Sequence, residues 1–334
     1  MIPSLSIITP VKNAAPWLRE CIESCLEQSF TNWEWIWVDD HSTDNSAELI
    51  SAFADMDARI QLHTNPGKGI ISALEKGLAE SNGTYITRMD ADDLMPEGRL
   101  ALMVEALQNT SSKTIVTGLV QYFSKDEVSP GYKQYENWLN SVNLENTQWQ
   151  HIYRECVVAS PNWMMRTYEL QAIGGFSNLQ YPEDYDLVFR WYENQFTIKT
   201  IPQTTLLWRE HAARTSRNSN NYSQQKFFEL KLKRFLELDY DSYKPLVLWG
   251  TGVKARLTAE IFNQKNIDFV WMDLHPAKYP DGISGQTISG FKEIENFSSP
   301  QLLLAVYPPK KSLQMIIEYL DKTGLKPGFD YWFL

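Results

Sequence analysis

The chain has 334 residues, enough for two domains with a core each, and its 43% hydrophobic and 22% charged content excludes a disordered chain. A formal charge of −10 argues against nucleic acid as a partner, since such binders need a clustered basic surface. "MIPSLSIITPV" lacks the flank and apolar run of a signal peptide, no window approaches the roughly 20 apolar residues of a spanning helix, and three cysteines fit a reducing cytoplasm.

"LSIITPV" (Leu5–Val11) is a branched, apolar run that reads as a strand, and "APWLRECIESCLEQSF" follows with apolar residues at helical spacing. Cys21 and Cys25 fall on one face of that helix, which predicts a core role for both. "WEWIWVDD" is a second strand ending in two acids, "STDNSAELISAF" a helix opened by capping residues, and "RIQLHT" a third strand. A third helix is expected over residues 70–79, and "GTYITRM" is the fourth strand. This alternation implies a mainly parallel α/β sheet flanked by helices, which binds its ligands at the carboxyl ends of the strands. Less regular segments follow: a helix from Pro96, a strand at "TIVTGLVQYF", a polar, Trp-containing stretch, then "SPNWMMRTYELQAIGGF", "YPEDYDLVFRWYEN" and "TIKTIPQTTLLWREH". "QQKFFELKLKRFLEL" (Gln224–Leu238) is amphipathic and basic on one side, which suits either peripheral contact with anionic lipid or packing on its own domain. After "DYDSYKP" the strand, helix, strand pattern restarts, so a domain boundary is expected near residue 240, between domains 1–240 and 244–334.

Two acidic clusters sit at strand ends. "RMDADD" places Asp90, Asp92 and Asp93 together directly after a buried strand, a repulsion that a hard cation such as Mg²⁺ or Mn²⁺ would relieve. The same acids would also serve as a helix-entry cluster ahead of Pro96, the role that fits Asp93 best. Asp39 and Asp40 would accept hydrogen bonds from a base or ribose, or else form an Asx-turn before the next helix. "NPGKG" (residues 65–69) offers backbone donors and Lys68 to an anion, or is an ordinary turn. Glu183 and Asp184 stand before an amphipathic helix, as a cap or as a general base. His211, between Arg209 and Arg214, reads as a metal ligand or as a structural histidine.

In this order the pieces resemble family 2 glycosyltransferases, which have the A-type nucleotide-diphospho-sugar transferase fold. The resemblance rests on "SIITPVKNAAPWLRECIESCLEQSFTNWEWIWVDDHSTDNS", "GIISALEKGLAESNGTYITRMDADD", "IGGF" before "YPEDYDLVFRW", and "WREHAARTS", and covers about residues 4–217. It implies a nucleotide site bordered by Thr9, Pro10, Val11, Asp39, Asp40, Lys68, Arg88 and Asp90. It also implies a Mn²⁺ or Mg²⁺ site at Asp92, Asp90 and His211, and Asp184 as the catalytic base of an inverting transfer. The donor implied is a nucleotide-diphosphate sugar, with uridine favoured, and the acceptor a glycan or lipid-linked hydroxyl in bacterial surface polysaccharide synthesis. Glu183 and Trp163 are expected on the acceptor side, with aromatic faces of residues 132–163 stacking on sugar rings. His41 stands where the family usually has Gly, and Glu75 where Asn is common.

The last 90 or so residues, with "LWGTGVKA" after a strand and Asp273 at the end of the next, look like a small Rossmann-like half. They are similar to the nucleotide-sugar-binding domains of certain sugar acetyltransferases; a structural or oligomerising role and a ligand-binding role are both consistent with them. Two rival readings of the whole chain are an oxidoreductase using the "GTGVKA" crevice and a non-catalytic sugar-nucleotide-binding regulator.

Overall fold

The computed structural model describes residues 3–306 and 310–334, so Tyr307, the end of the apolar run "QLLLAVY", lies outside the described residues. The chain divides into two compact units, one of residues 1–148 and 157–226, the other of residues 149–156 and 227–334.

The first unit begins with the strict alternation expected: β1 (Leu5–Val11), α1 (Ala15–Leu26), β2 (Trp33–Asp39), α2 (Ser46–Met56), β3 (Ile60–Thr64), α3 (Ile70–Glu80) and β4 (Tyr85–Arg88). It continues with α4 (Arg99–Gln108), β5 (Thr114–Phe123), α5 (Pro130–Leu144), β6 (Trp163–Arg166), α6 (Thr167–Ala172), α7 (Glu183–Glu193), β7 (Thr197–Arg209) and the single turn α8 (Thr215–Asn218). The seven strands lie in the order β3-β2-β1-β4-β6-β5-β7. Pairs among β1 to β4 are parallel, and β6 enters antiparallel to both β4 and β5.

β1 and β2 are buried almost throughout, as continuous apolar runs in a doubly covered parallel sheet should be. α1 buries Leu18, Cys21, Ile22 and Cys25, one stripe at helical spacing, and both cysteines are free core thiols. Between β5 and β7 the register slips at Gly118 and Leu119, which lets Pro202, with no N–H to donate, pass as part of a bulge. Beyond it β7 runs on to deliver Arg209 beside Phe123.

α3 returns to β4 through a close backbone approach at Gly83, where a Cβ would lie 2.5 Å from the Ser6 amide nitrogen and 2.7 Å from the Leu5 carbonyl carbon. Gly83→Ala should therefore cost about 1–3 kcal/mol of stability. Urea unfolding that gives the variant a wild-type free energy would mean the backbone yields there freely.

The second unit holds α9 (Gln224–Leu238, clustered here from Phe227), β8 (Leu246–Trp249), α10 (Val253–Gln264), β9 (Val270–Asp273), β10 (Ile288–Gly290), β11 (Gln301–Leu304), α11 (Lys310–Lys322) and β12 (Tyr331–Phe333). Its strands are all parallel in the order β10-β9-β8-β11-β12, the winding of a Rossmann-like sheet. The apolar stripe of α9, Phe228, Leu232 and Phe235, is buried, with Phe235 5.3 Å from Trp332 and 5.5 Å from Tyr153. No helix among the described residues is long and apolar enough to cross a membrane.

Candidate active site

The carboxyl ends of β1, β2 and β4 collect the acids that the sequence singled out. At β2 the two aspartates divide. Asp39 accepts from the Ser42 backbone N–H at 3.2 Å, an Asx-type turn. Asp40 is buried and accepts from Asn65 Nδ2 at 2.7 Å, Gly69 N–H at 2.9 Å and Lys12 Nζ at 3.1 Å. Burial alone would raise its carboxyl; the hydrogen bonds from Gly69, Lys12 and Asn65 outweigh that and hold it below the ordinary value.

The "NPGKG" loop is tied into this network. Gly69 N–H serves Asp40, Gly67 N–H serves Asn65 Oδ1, and Lys68 is exposed at the rim. His41, where the family usually has Gly, has φ of 59°, a left-handed conformation that His tolerates better than most residues, and its Nε2 lies 2.9 Å from the Gly67 carbonyl. At β1, Thr9 and Val11 are buried and the Thr9 hydroxyl accepts from Trp35 Nε1 at 2.8 Å, so only Pro10 of that trio presents itself at the surface.

After β4 the acidic cluster does not cap α4. The N-cap of α4 is Gly98, with no side-chain cap bond, and the Leu100 N–H is met by Gln28. Asp93 instead accepts from the Arg209 backbone N–H at 2.8 Å, and its other oxygen is buried without a partner. Burial, then the charges of Asp92 and Asp90, push that carboxyl well above the ordinary value. Arg209 also donates to the Asp92 carbonyl at 2.6 Å and to Glu20 Oε2 at 2.6 Å, bracing the acidic loop between the end of β7 and α1.

The brace holds the loop that carries Asp92. Asp92 Oδ2 lies 2.8 Å from His211 Nε2, and the imidazole stacks on Trp17 with centroids 3.9 Å apart. His211 Nδ1 is buried with no partner. Asp90 turns the other way, its Oδ1 2.7 Å from Arg88 Nε. Among the described residues no three His, Cys, Asp or Glu side chains are grouped about one metal position.

Arg88 is a buried strut. Its Nη1 reaches Glu183 Oε1 at 3.2 Å, and Glu183 Oε2 accepts from the Tyr222 hydroxyl at 2.6 Å. Burial alone would lower the guanidinium, but the charges of Asp90, Glu183 and Asp184 hold it above its ordinary value. Asp184 is half-buried on the first turn of α7, and burial, reinforced by the charge of Glu183, pushes its carboxyl up to about 7. The N-cap of α7 is Pro182, and neither acid caps the helix.

Both acceptor-side expectations are corrected. Trp163 is 2% exposed, with Trp191 at 5.4 Å and Phe176 at 6.4 Å, so no ring face is open to a sugar. Glu183 is 1% exposed with both oxygens engaged inside the protein. Tyr132 and Trp208 are half-buried and pack around the buried Tyr122. Tyr122 stacks on Trp208 at 4.9 Å, and the Arg214 guanidinium sits 5.2 Å from the Trp208 ring. Tyr222 and Trp17 enter these networks without having been singled out in the sequence as site residues, whereas Asn65 opened the "NPGKG" loop that was.

A family profile described as "Glycosyl transferase family 2" matches residues 6–173, half of the chain. The chain belongs to glycosyl transferase family 2. Among curated relatives, the Streptococcus pneumoniae "Glycosyltransferase GlyG" is 33% identical over 123 residues, which cover 36% of this chain and 41% of that protein. In GlyG and two further curated relatives, from Haemophilus influenzae and Bacillus subtilis, the match spans about two fifths of the relative's length. Among solved structures, S. aureus TarS 1–349 in complex with UDP-GlcNAc superposes with a TM-score of 0.55 at 15% identity, over 71% of this chain and 68% of that one. The Pyrobaculum calidifontis mannosyltransferase PcManGT, in complex with GDP-Man and Mn²⁺, gives 0.50 at 19% identity, over 70% and 61%. At such identities these likenesses show the fold, and that fold is the A-type, mixed and mainly parallel sheet flanked by helices.

Proposed function

We propose that this chain is an inverting, metal-dependent glycosyltransferase that moves a sugar from a nucleotide-diphosphate donor, UDP-linked by preference, to a hydroxyl of a glycan or lipid-linked acceptor. One observation carries the reading. The acids of the first unit are split between a donor group, Asp92 with His211, and a basic carboxylate, Asp184, joined through Asp90, Arg88 and Glu183.

The division matches the chemistry. Asp40, with Asn65 and Gly69 fixing its carboxylate, is placed to meet the base, and Pro10 and Lys68 border the same rim. Asp184 takes the acceptor hydroxyl proton; the oxygen attacks the anomeric carbon from the side opposite the diphosphate, whose bond to that carbon breaks, so configuration inverts. A carboxyl pushed up to about 7 is a better base than an ordinary carboxylate, about half ionised near neutral pH and ionised above it.

A carboxylate oxygen and an imidazole nitrogen that face each other at 2.8 Å suit Mn²⁺, while Mg²⁺ commonly takes one or two carboxylates and completes its shell from phosphate and water. Held by Asp92 and His211, either ion would supply positive charge against the departing nucleoside diphosphate. TarS and PcManGT, which share the fold, were solved with nucleotide sugars, the second with Mn²⁺. All of this chemistry falls within domain 1–240, and the setting we assign, cytoplasmic synthesis of surface polysaccharide, follows the family.

A nucleotide-sugar panel in a thermal-shift assay tests the reading. A donor at 100 times its dissociation constant adds about 2.7 kcal/mol to the folded state. A UDP-sugar should raise the midpoint with Mn²⁺ and much less with chelator; a flat response to every nucleotide sugar at millimolar concentration would sink the proposal.

A further inference from the structure

The clamp on Glu183 is more elaborate than a buried helix start needs. Glu183 opens α7, is almost fully buried, and spends one oxygen on Arg88 and the other on the Tyr222 hydroxyl. Tyr222 belongs to a short 3₁₀ turn at residues 220–222, beyond β7, and its ring packs edge-on against Tyr181 at 6.0 Å. Glu183 makes no cap bond to α7, whose N-cap position is Pro182; both its oxygens are spent outside the helix. Its immediate neighbour is Asp184.

We propose that Glu183 is a positioning residue for Asp184: Arg88 and Tyr222 hold the Glu183 carboxyl on the first turn of α7 directly beside Asp184, where its charge adds to the effect of burial on the base. This rests on Asp184 being the base. Burial acts first on the Asp184 carboxyl, and four groups act on it as well. Glu183 on α7 and Asp90 after β4 favour its protonated form; Arg88 at the end of β4 opposes them, and the Tyr185 backbone N–H, donating to Asp184 Oδ1 at 2.8 Å, supports the ionised form. Tyr222, facing the same pair, is itself pushed up by burial and by the charges of Glu183 and Asp184, so it stays a neutral donor. Of the two like charges, Glu183 acts more strongly than Asp90, and it is the one clamped from two sides.

Removing the Glu183 charge should make Asp184 more acidic. In full-length protein with ¹³C-carboxyl aspartate, the Asp184 signal, assigned by its loss in Asp184→Asn, should titrate at least about one pH unit lower in Glu183→Gln. The acid limb of kcat/KM should move the same way. Tyr222→Phe, which keeps Glu183 but removes one side of its clamp, should shift the signal by less. An Asp184 titration unmoved in both folded variants would overturn the proposal and leave the base assignment intact. A shifted titration with an unmoved acid limb would uphold the tuning and remove Asp184 as base. If Glu183→Gln fails to fold, Tyr222→Phe alone decides.

Discussion

Asp184→Asn should lower kcat by about 10²–10⁴-fold, the usual contribution of a positioned general base, while donor binding in Mn²⁺ stays at the wild-type level. The substitution keeps the shape of the side chain on α7 and leaves Asp92, His211 and Asp40 untouched, so a merely structural defect would show as weaker donor binding. Wild-type turnover should rise with pH through about 7, as the carboxyl loses its proton, and the variant should lack that limb. The same group costs stability. Its carboxyl binds a proton more tightly in the folded chain, at about 7, than at the ordinary 3.8 of an unfolded one. The protonated form is thus favoured by folding, and the penalty for ionising it accrues from about pH 4 to pH 7 and is complete above that. Asp184→Asn should therefore be more stable than wild type at pH 8 and lose that advantage as pH falls toward 4. Chemical denaturation at the two pH values measures it, and equal differences at both would mean that Asp184 is not held protonated by the fold.

Asp92→Ala should weaken Mn²⁺-dependent donor binding on the order of 100-fold, with the nucleoside diphosphate alone in chelator bound as by wild type. Asp92 contributes in two ways that the substitution separates. Its carboxylate meets His211 and is lost, whereas its backbone carbonyl, held by Arg209, remains. The acidic loop should thus keep its place, and the effect should be confined to the metal-dependent part of binding. Calorimetry giving Asp92→Ala the wild-type affinity in Mn²⁺ would remove Asp92 and His211 as the ion's holders.

The strand ends were legible because each is an apolar run that stops at charge. "SIITPV", "WIWV" and "YITR" must be buried and "DD" and "DADD" must not, so burial alone places the acids at one edge of a parallel sheet. What those acids do there was less legible, since capping, turn formation and ligand binding all use aspartate. Asp39 and Asp40 are adjacent and take opposite roles, decided by Asn65 and Gly69, some 25 positions away. Asp93 looked like a helix entry because Pro96 follows it, but Gly98 and Gln28 start α4 and Asp93 answers to Arg209. Trp163 looked like a sugar platform because the segment around it is polar; its strand is four residues long and runs antiparallel between β4 and β5, a pairing with no local signal. Tyr222 was invisible, since "RNSNNYS" has neither periodicity nor motif, and only the fold brings its hydroxyl to Glu183.

The central claim, that the strand ends of the first unit hold metal and donor while Asp184 stands apart as the base, is tested most directly by a crystal structure with Mn²⁺ and a UDP-sugar, collected at a wavelength where manganese scatters anomalously. The account predicts an anomalous peak beside Asp92 and His211, the uracil against Asp40, and Asp184 free of metal. A nucleotide seated instead in the second unit, beside Thr251 and Asp273, with no manganese at Asp92, would contradict it.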